Sequence, residues 1–461
     1  MSKNVFTKNI LCIGAGYVGG PTMAVIASKC PQYKVTVVDI NQDRINAWNS
    51  NELPIFEPDL FETIKSCINK NLFFSTNIDN EIHDADIIFV SVNTPTKMFG
   101  QGHGKAVDLQ YWEMTARNIL KASKSDKIIV EKSTLPVKTA KAMERILNTN
   151  NKGIRFDVLS NPEFLAEGSA IKDLQNPDRV LIGSELTKQG LIARDQIVEI
   201  YSNWISNEHI CTSDIWSAEL SKLIANAFLA QRISSINSIS ALCEHTEANI
   251  EEISNAIGMD TRIGNKFLNA SIGFGGSCFK KDILNLIYIC ETYGLYEVAT
   301  YWENVLLIND YQKKRFVQNM LKNMFNTITG KRIAIFGVAF KANTSDTRES
   351  PAIDVIKLLA QERAKIIIYD PKAISNAKVN LHKIIKKVEF VSDPYSAAKN
   401  AHAIAILTNW NEFKTLDYNK IYANMEKPAF VFDGVNILDH QTLYDIGFDV
   451  FPLGKSALKH Y

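Results

Sequence analysis

The chain of 461 residues has almost no charge of one sign to spare, with 51 lysines and arginines against 50 aspartates and glutamates and a net charge of +1. That balance excludes the broad field with which proteins hold nucleic acid or a membrane surface, so an anionic small molecule has to be held by a local cluster. Long apolar runs are missing as well. No stretch of about 20 apolar residues occurs, and the opening M-S-K-N-V-F-T-K-N has no apolar signal core, so neither a membrane span nor secretion is expected. Cysteine is sparse: seven, at 12, 30, 67, 211, 243, 278 and 290, odd in number and without a C-x-x-C pair. Such spacing argues against a disulfide framework or a zinc site; it fits a reducing cytoplasm, and no metal is expected. The length exceeds one ordinary core and predicts two or three domains.

What is present begins with an apolar strand over 9–13, then Gly14-Ala15-Gly16-Tyr17-Val18-Gly19, then a helical run over 21–28. A second strand, 33–38, ends in Asp39, 20 residues beyond Gly19. In G-x-G-x-x-G between strand and helix, the first two glycines permit a tight turn and close approach to a pyrophosphate. The third lets helix pack on strand, and the helix N-terminus favours negative charge. Asp39 would accept hydrogen bonds from the adenosine ribose and repel a 2′-phosphate, which favours NAD over NADP. Arg44 nearby reads as a solvated or adenine-stacking side chain.

Strand follows strand after that. One over 85–92 runs into Asn93-Thr94-Pro95-Thr96, one over 127–131 into Ser133 and Thr134, and one over 155–159 into Asn161-Pro162-Glu163-Phe164-Leu165-Ala166-Glu167. Parallel strands deliver ligand groups at their C-terminal ends, which makes Glu163 and Glu167 candidates rather than loop charges. The stretch 97–108, with glycines at 100, 102 and 104, reads as a loop insertion.

From Ile215 to about Glu247 there is no proline or glycine, and the spacing predicts one helix about 50 Å long at roughly 1.5 Å per residue. Lys222 and Asn226 share a face of it. After the turn-rich stretch 259–270, where Arg262 and Lys266 could meet an anion, comes Gly273-Phe274-Gly275-Gly276-Ser277-Cys278-Phe279-Lys280-Lys281-Asp282. The glycines allow a sharp loop and 279–292 has helical spacing, so Cys278 is expected at a helix start. The helix dipole, Lys280 and Lys281 would there favour its thiolate, the nucleophilic form, with Asp282 on the same face.

Beyond Gly330 the early pattern returns: strands over 331–336, 364–369 ending at Asp370, 401–407 and 429–432. The turn Gly337-Val338-Ala339-Phe340-Lys341 lacks the second and third glycines, so it suits a mononucleotide part of a substrate better than a dinucleotide. The fold class expected is α/β: two Rossmann-like doubly wound domains joined by a long central helix and a helical dimerisation segment.

G-A-G-Y-V-G, S-V-N-T-P-T, E-K-S-T, N-P-E-F-L-A-E-G, the Lys222/Asn226 helix, G-F-G-G-S-C-F-K-K-D and G-V-A-F-K-A-N-T-S-D-T-R-E-S-P occur in this order. In this the chain resembles, nearly end to end, the UDP-glucose/GDP-mannose dehydrogenase family, and most of all the longer form found in eukaryotes. The resemblance implies an NAD-binding domain over 1–212, a central helical and dimerisation domain over 213–328 carrying the cysteine, and a UDP-sugar-binding domain over 329–461. It implies two successive oxidations of the C6 alcohol of UDP-glucose to UDP-glucuronate, with two NADH formed, in a homo-oligomer: a dimer through the central helix, or a hexamer.

By the same resemblance, Lys222 and Asn226 stabilise the oxyanion at C6, and Cys278 forms a thiohemiacetal and then a thioester. Asp282 with Thr134, and Glu163, position or deprotonate water. NAD would meet Gly14, Gly16, Tyr17, Val18, Gly19, Asp39, Arg44, Val92, Asn93, Thr94, Pro95, Thr96, Ser133, Thr134, Glu167, Lys281 and Arg348. The sugar nucleotide would meet Glu163, Phe164, Leu165, Ala166, Glu167, Lys222, Asn226, Asn269, Phe274, Gly275, Phe340 and Lys341, with Arg262 reaching a neighbouring subunit's diphosphate. The chain departs from the family at Val435-Asn436, where an arginine is usual after Asp-Gly, and at Asn269, where the animal-type pattern has lysine. A dehydrogenase for UDP-N-acetylmannosamine or GDP-mannose would keep every catalytic residue. A one-hydride enzyme of the hydroxyacid type would not need Cys278, and a silent nucleotide-binding module would need none of them.

Overall fold

The computed structural model describes residues 6–149 and 152–460. It divides into two compact units, residues 1–225 and 226–461.

The first unit holds β1 (Lys8–Ile13), β2 (Tyr33–Val38), β3 (Leu72–Ser75), β4 (Ile87–Val90), β5 (Lys127–Glu131), β6 (Phe156–Ser160), β7 (Val180–Ser184) and β8 (Ile210–Asp214) in one sheet. Their order is β3-β2-β1-β4-β5-β6-β7-β8, parallel except for an antiparallel junction of β6 with β7 at Ser160 and Gly183. Strands β4 and β5 are buried along their whole length, the mark of a sheet covered by helices on both faces. The helix Gly19–Lys29 follows β1, as the glycine turn requires. Gly183 keeps β7 close to the long helix: a Cβ there would lie 2.4 Å from that of Ala218.

The second unit holds β9 (Arg332–Phe336), β10 (Lys365–Tyr369), β11 (Val388–Phe390), β12 (Ala403–Ile406), β13 (Phe430–Asp433) and β14 (Asp449–Pro452). All are parallel, in the order β11-β10-β9-β12-β13-β14, which repeats the first six places of the other sheet. Ahead of it lie the thiol helix Phe279–Thr292 and a long helix, Tyr296–Asn323. The spine helix runs Ile215–Thr246, and the Asp214 carboxylate opens it by accepting hydrogen bonds from the Trp216 and Ser217 amides.

The expected strands form within a residue or two of the positions read from the sequence. Five more, β3, β7, β8, β11 and β14, were not expected. β3 and β8 end one sheet and β11 and β14 the other, so none of these four needs the continuous apolar run by which a covered strand is recognised. β7 breaks its run with Gly183. Among the described residues no helix is long and apolar enough to cross a membrane.

Candidate active site

In the first unit the parallel register brings the predicted cofactor groups to one edge, just past the ends of β1, β2, β4, β5 and β6. Gly14 has φ +110°, and a Cβ on it would lie 2.3 Å from the Ser91 carbonyl, so only glycine closes this turn. A Cβ on Gly16 would meet nothing within 4 Å, leaving the open face a pyrophosphate needs, while one on Gly19 would lie 2.0 Å from the Gly14 carbonyl oxygen. Asp39 accepts hydrogen bonds from the Ala15 amide (3.0 Å) and the Asn41 amide (2.9 Å). Arg44 pairs with the same carboxylate at 3.0 Å and stays partly exposed to solvent. Ser133 Oγ donates to the Val92 carbonyl (2.8 Å) and Thr94 Oγ1 to the Thr134 carbonyl (3.3 Å), which ties the loops after β4 and β5 together. The open face at Gly16, the acid at the end of β2 and a helix start free of acidic residues fit a dinucleotide.

Past β6, Glu163 Oε1 accepts the amides of Phe164 (2.8 Å) and Leu165 (3.1 Å), and Oε2 meets Lys132 Nζ at 2.8 Å and Thr22 Oγ1 at 3.5 Å. Burial alone would raise the Glu163 pKa, but Lys132, the Phe164 amide and Lys222 outweigh it and hold the carboxyl below its usual range. The Phe164 ring carries the Arg179 guanidinium at 3.9 Å and the Lys222 ammonium at 5.1 Å, so the half-buried setting expected for Lys222 takes the form of a cation over an aromatic face.

In the second unit the cysteine loop is held from two sides. Asn309 accepts from the Phe274 amide (2.8 Å) and donates to its carbonyl (3.1 Å), and Asn237 Oδ1 accepts from the Ser271 amide (2.9 Å). Gly275 packs so closely that a Cβ would lie 2.5 Å from the Glu349 carbonyl oxygen. One on Gly276, at φ +86°, would lie 3.0 Å from the Phe340 ring. Cys278 stands immediately before the helix Phe279–Thr292, exposed, with Ser277 Oγ 3.5 Å from its sulfur. Cys12 and Cys30 differ from it: both are buried, and burial pushes their thiols up to about 12. One turn into the thiol helix, Asp282 is fully buried and accepts from Asn226 Nδ2 at 2.6 Å, joining two of the predicted catalytic residues.

The two lysines beside the thiol each pair with a carboxylate: Lys281 with its sequence neighbour Asp282 (2.7 Å), and Lys280 with Glu349 (2.8 Å), a distant partner that no local spacing announces. Arg348 forms a bidentate pair with Asp346. Arg262 is exposed and pairs with Asp260, Asn269 is exposed, and Lys341 has its ammonium 5.7 Å from the Phe340 ring centroid. At the departure site, Asn436 donates to the Leu453 carbonyl (2.7 Å) and accepts from its amide (3.1 Å), so this side chain braces two loops. Sequence reasoning also missed Lys132 and two neighbouring buried carboxyls, Glu131 and Glu219. Burial raises both, Glu219 raises Glu131 further, and the Lys138 and Ala140 amides, donating to Glu219, pull it back down.

A glycine turn open to a pyrophosphate and a cation-lined loop on the same sheet edge, with an exposed thiol one turn from a buried acid in the second unit, are the equipment of a dinucleotide-dependent dehydrogenase. The comparisons agree. Residues 8–205 match the NAD binding domain of the UDP-glucose/GDP-mannose dehydrogenase family, 216–311 its central domain and 334–440 its UDP binding domain. UDP-glucose 6-dehydrogenase 1 of Glycine max and UDP-glucose 6-dehydrogenase 5 of Oryza sativa subsp. japonica are each 59% identical to the chain over 97% of both sequences. The structure of a UDP-glucose dehydrogenase from the hyperthermophilic archaeon Pyrobaculum islandicum superposes with a TM-score of 0.84 at 28% identity, covering 97% of this chain and 99% of that one. The chain belongs to the UDP-glucose/GDP-mannose dehydrogenase family.

Proposed function

We propose that the chain oxidises UDP-glucose twice at C6, giving UDP-glucuronate and two NADH. The 59% identity over 97% of the chain to the soybean and rice enzymes supports this substrate over UDP-N-acetylmannosamine or GDP-mannose. NAD, when bound, supplies the hydride acceptor for both oxidations. Gly14, Gly16 and Gly19 with Tyr17 and Val18 would take its pyrophosphate, and Asp39 and Arg44 its ribose. Val92 to Thr96, Ser133, Thr134 and Glu167 would line the rest, and the family resemblance adds Lys281 and Arg348 to the NAD contacts. Phe164, Leu165, Ala166, Asn269, Phe274, Gly275, Phe340 and Lys341 would bind the UDP-sugar, with Arg262 meeting a neighbouring subunit's substrate.

Lys222 and Asn226 stabilise the alkoxide as the C6 hydroxyl loses its proton. Cys278 Sγ then adds to the aldehyde carbon. The resulting thiohemiacetal still carries a C–H bond, so a second hydride can leave, and the product is a thioester. Water adds to its carbonyl carbon, the C–S bond breaks and the thiol is restored; Asp282 with Thr134, and Glu163, orient or deprotonate that water. The observation that carries the covalent route is the exposed Cys278 one helical turn from Asp282, itself fixed by Asn226.

The boundaries 1–212, 213–328 and 329–461 contain the three matched ranges, which supports a three-domain division. Exposed Phe228, Leu242, Tyr301 and Leu307 on the spine and long helices support self-association there, as a dimer or a hexamer, and the setting proposed is cytoplasmic. The test is Cys278→Ser, followed by chromatography of the sugar products. It is expected to abolish UDP-glucuronate; undiminished acid formation would exclude the covalent route. A panel of sugar nucleotides scored by NADH formed checks the substrate.

A further inference from the structure

Lys132 lies outside every role given above, yet it is among the most completely enclosed charges in the first unit. Its side chain is 3% exposed and that of its partner Glu163 13%. The three ammonium protons have three acceptors: Glu163 Oε2 at 2.8 Å, Asn161 Oδ1 at 3.0 Å and the Tyr201 hydroxyl at 3.2 Å. Tyr201 in turn donates to Asn161 Oδ1 (2.7 Å), and Asn161 Nδ2 to the Leu181 carbonyl (2.8 Å). The network thus anchors the ends of β5 and β6 to β7 and to the helix Lys188–Tyr201. Removing an ion from water to such a place costs several kcal/mol unless it is paired and fully bonded, and this one is.

We propose that Lys132 is a positioning residue for the reaction, one that acts only through Glu163. Its role rests on the double-oxidation reading above, in which Glu163 attends the water that cleaves the thioester. In that step the water oxygen bonds to the carbonyl carbon, the C–S bond breaks, one proton returns to sulfur and the acid ionises. A carboxyl as buried as Glu163 would by itself hold a proton and be useless there. Lys132 keeps the charge on it, and the Phe164 and Leu165 amides fix its direction. The titratable and charged groups around the pair are Tyr201 and Lys222, with Cys12 near Lys132 and Arg179 over the Phe164 ring. Among the described residues the other cation lowering Glu163 is Lys222, and it sits over the Phe164 ring, whereas Lys132 bonds the carboxylate directly.

The test combines Lys132→Met, Glu163→Gln and the double variant, each followed by stopped-flow NADH formation, the pH profile of kcat and intact mass of the enzyme during turnover. Lys132→Met is expected to give a burst of two NADH per site and then a steady rate lowered about a hundredfold, the low end for loss of a positioned base. A glucuronyl adduct should accumulate on Cys278. The acidic limb of kcat should move to higher pH, because burial then raises Glu163 against only the Phe164 amide and Lys222, and activity is lost sooner as pH falls. The double variant removes both charges, so it is expected to fold even where Lys132→Met does not, and to be no slower than Glu163→Gln alone. An unchanged kcat and pH profile in Lys132→Met, or a double variant slower by the product of both single effects, would overturn the role. A wild-type protein that yields no second NADH would instead sink the double-oxidation reading and leave Lys132 a structural residue.

Discussion

The two sheets share their strand order and each places an aspartate at the end of its second strand, yet the two carboxylates are spent differently. Asp39 accepts two backbone amides and pairs with Arg44, whose side chain is 45% exposed, so the cluster opens to solvent beside the open face at Gly16. Asp370 accepts five donors: the amides of Val338 (2.7 Å), Ala339 (3.1 Å), Lys372 (2.9 Å) and Ala373 (2.7 Å), and the Trp410 indole (3.2 Å). A carboxylate has about four lone-pair sites, so none is left for a ribose. Strand ends further along repeat the contrast. Glu131 at the end of β5 lies buried beside another carboxyl, whereas Asp433 at the end of β13 is bonded to the amides of Val435, Ile437 and Leu438 and to His440. One topology therefore serves two ends: at Asp39 the first sheet keeps bonding capacity open to solvent, and at Asp370 and Asp433 the second turns it inward to stabilise its own loops.

The same substitution at both aspartates breaks the comparison most sharply. Asp370→Asn turns an amide NH2 against at least two backbone N–H groups, and is expected to lower the unfolding free energy by about 3 kcal/mol in urea titration. Asp39→Asn should stay within about 1 kcal/mol of wild type in that titration while raising KM for NAD about tenfold, the loss of roughly one charged hydrogen bond. Equal destabilisation at both positions would dissolve the contrast. The smallest effect concerns Glu131. A carboxyl raised in the folded state binds more protons there than when unfolded, so stability is lost as pH climbs above the ordinary carboxylate range, by up to about 1.4 kcal/mol per pH unit. Glu131→Gln should flatten that slope and stabilise the protein at neutral and alkaline pH, as thermal melts at pH 5.5 and 8 would record.

Strands covered on both faces were legible because burial on two sides demands an unbroken apolar run, as β4 and β5 carry. Strands at the sheet ends obey no such demand, and β8 (I-C-T-S-D) has a loop's composition. The glycine turn, Asp39, the spine helix and the thiol helix could all be read from sequence, since each depends on residues within one local motif. What escaped depends on distant partners. Lys132 reads as the polar end of a strand until folding sets it against Glu163 and Tyr201, 31 and 69 residues away. Lys280 was read with the neighbouring thiol, yet it reaches Glu349, 69 residues on. A lysine followed at once by hydroxyl residues at a ligand-bearing strand end was the available signal for Lys132.

The most direct measurement is the number of NADH formed per molecule of UDP-glucose consumed by the purified wild-type protein. Two NADH for each sugar, with UDP-glucuronate as the sole sugar product, is the predicted result. One NADH for each sugar, with the aldehyde released, would contradict a covalently held intermediate and with it the role assigned to Cys278.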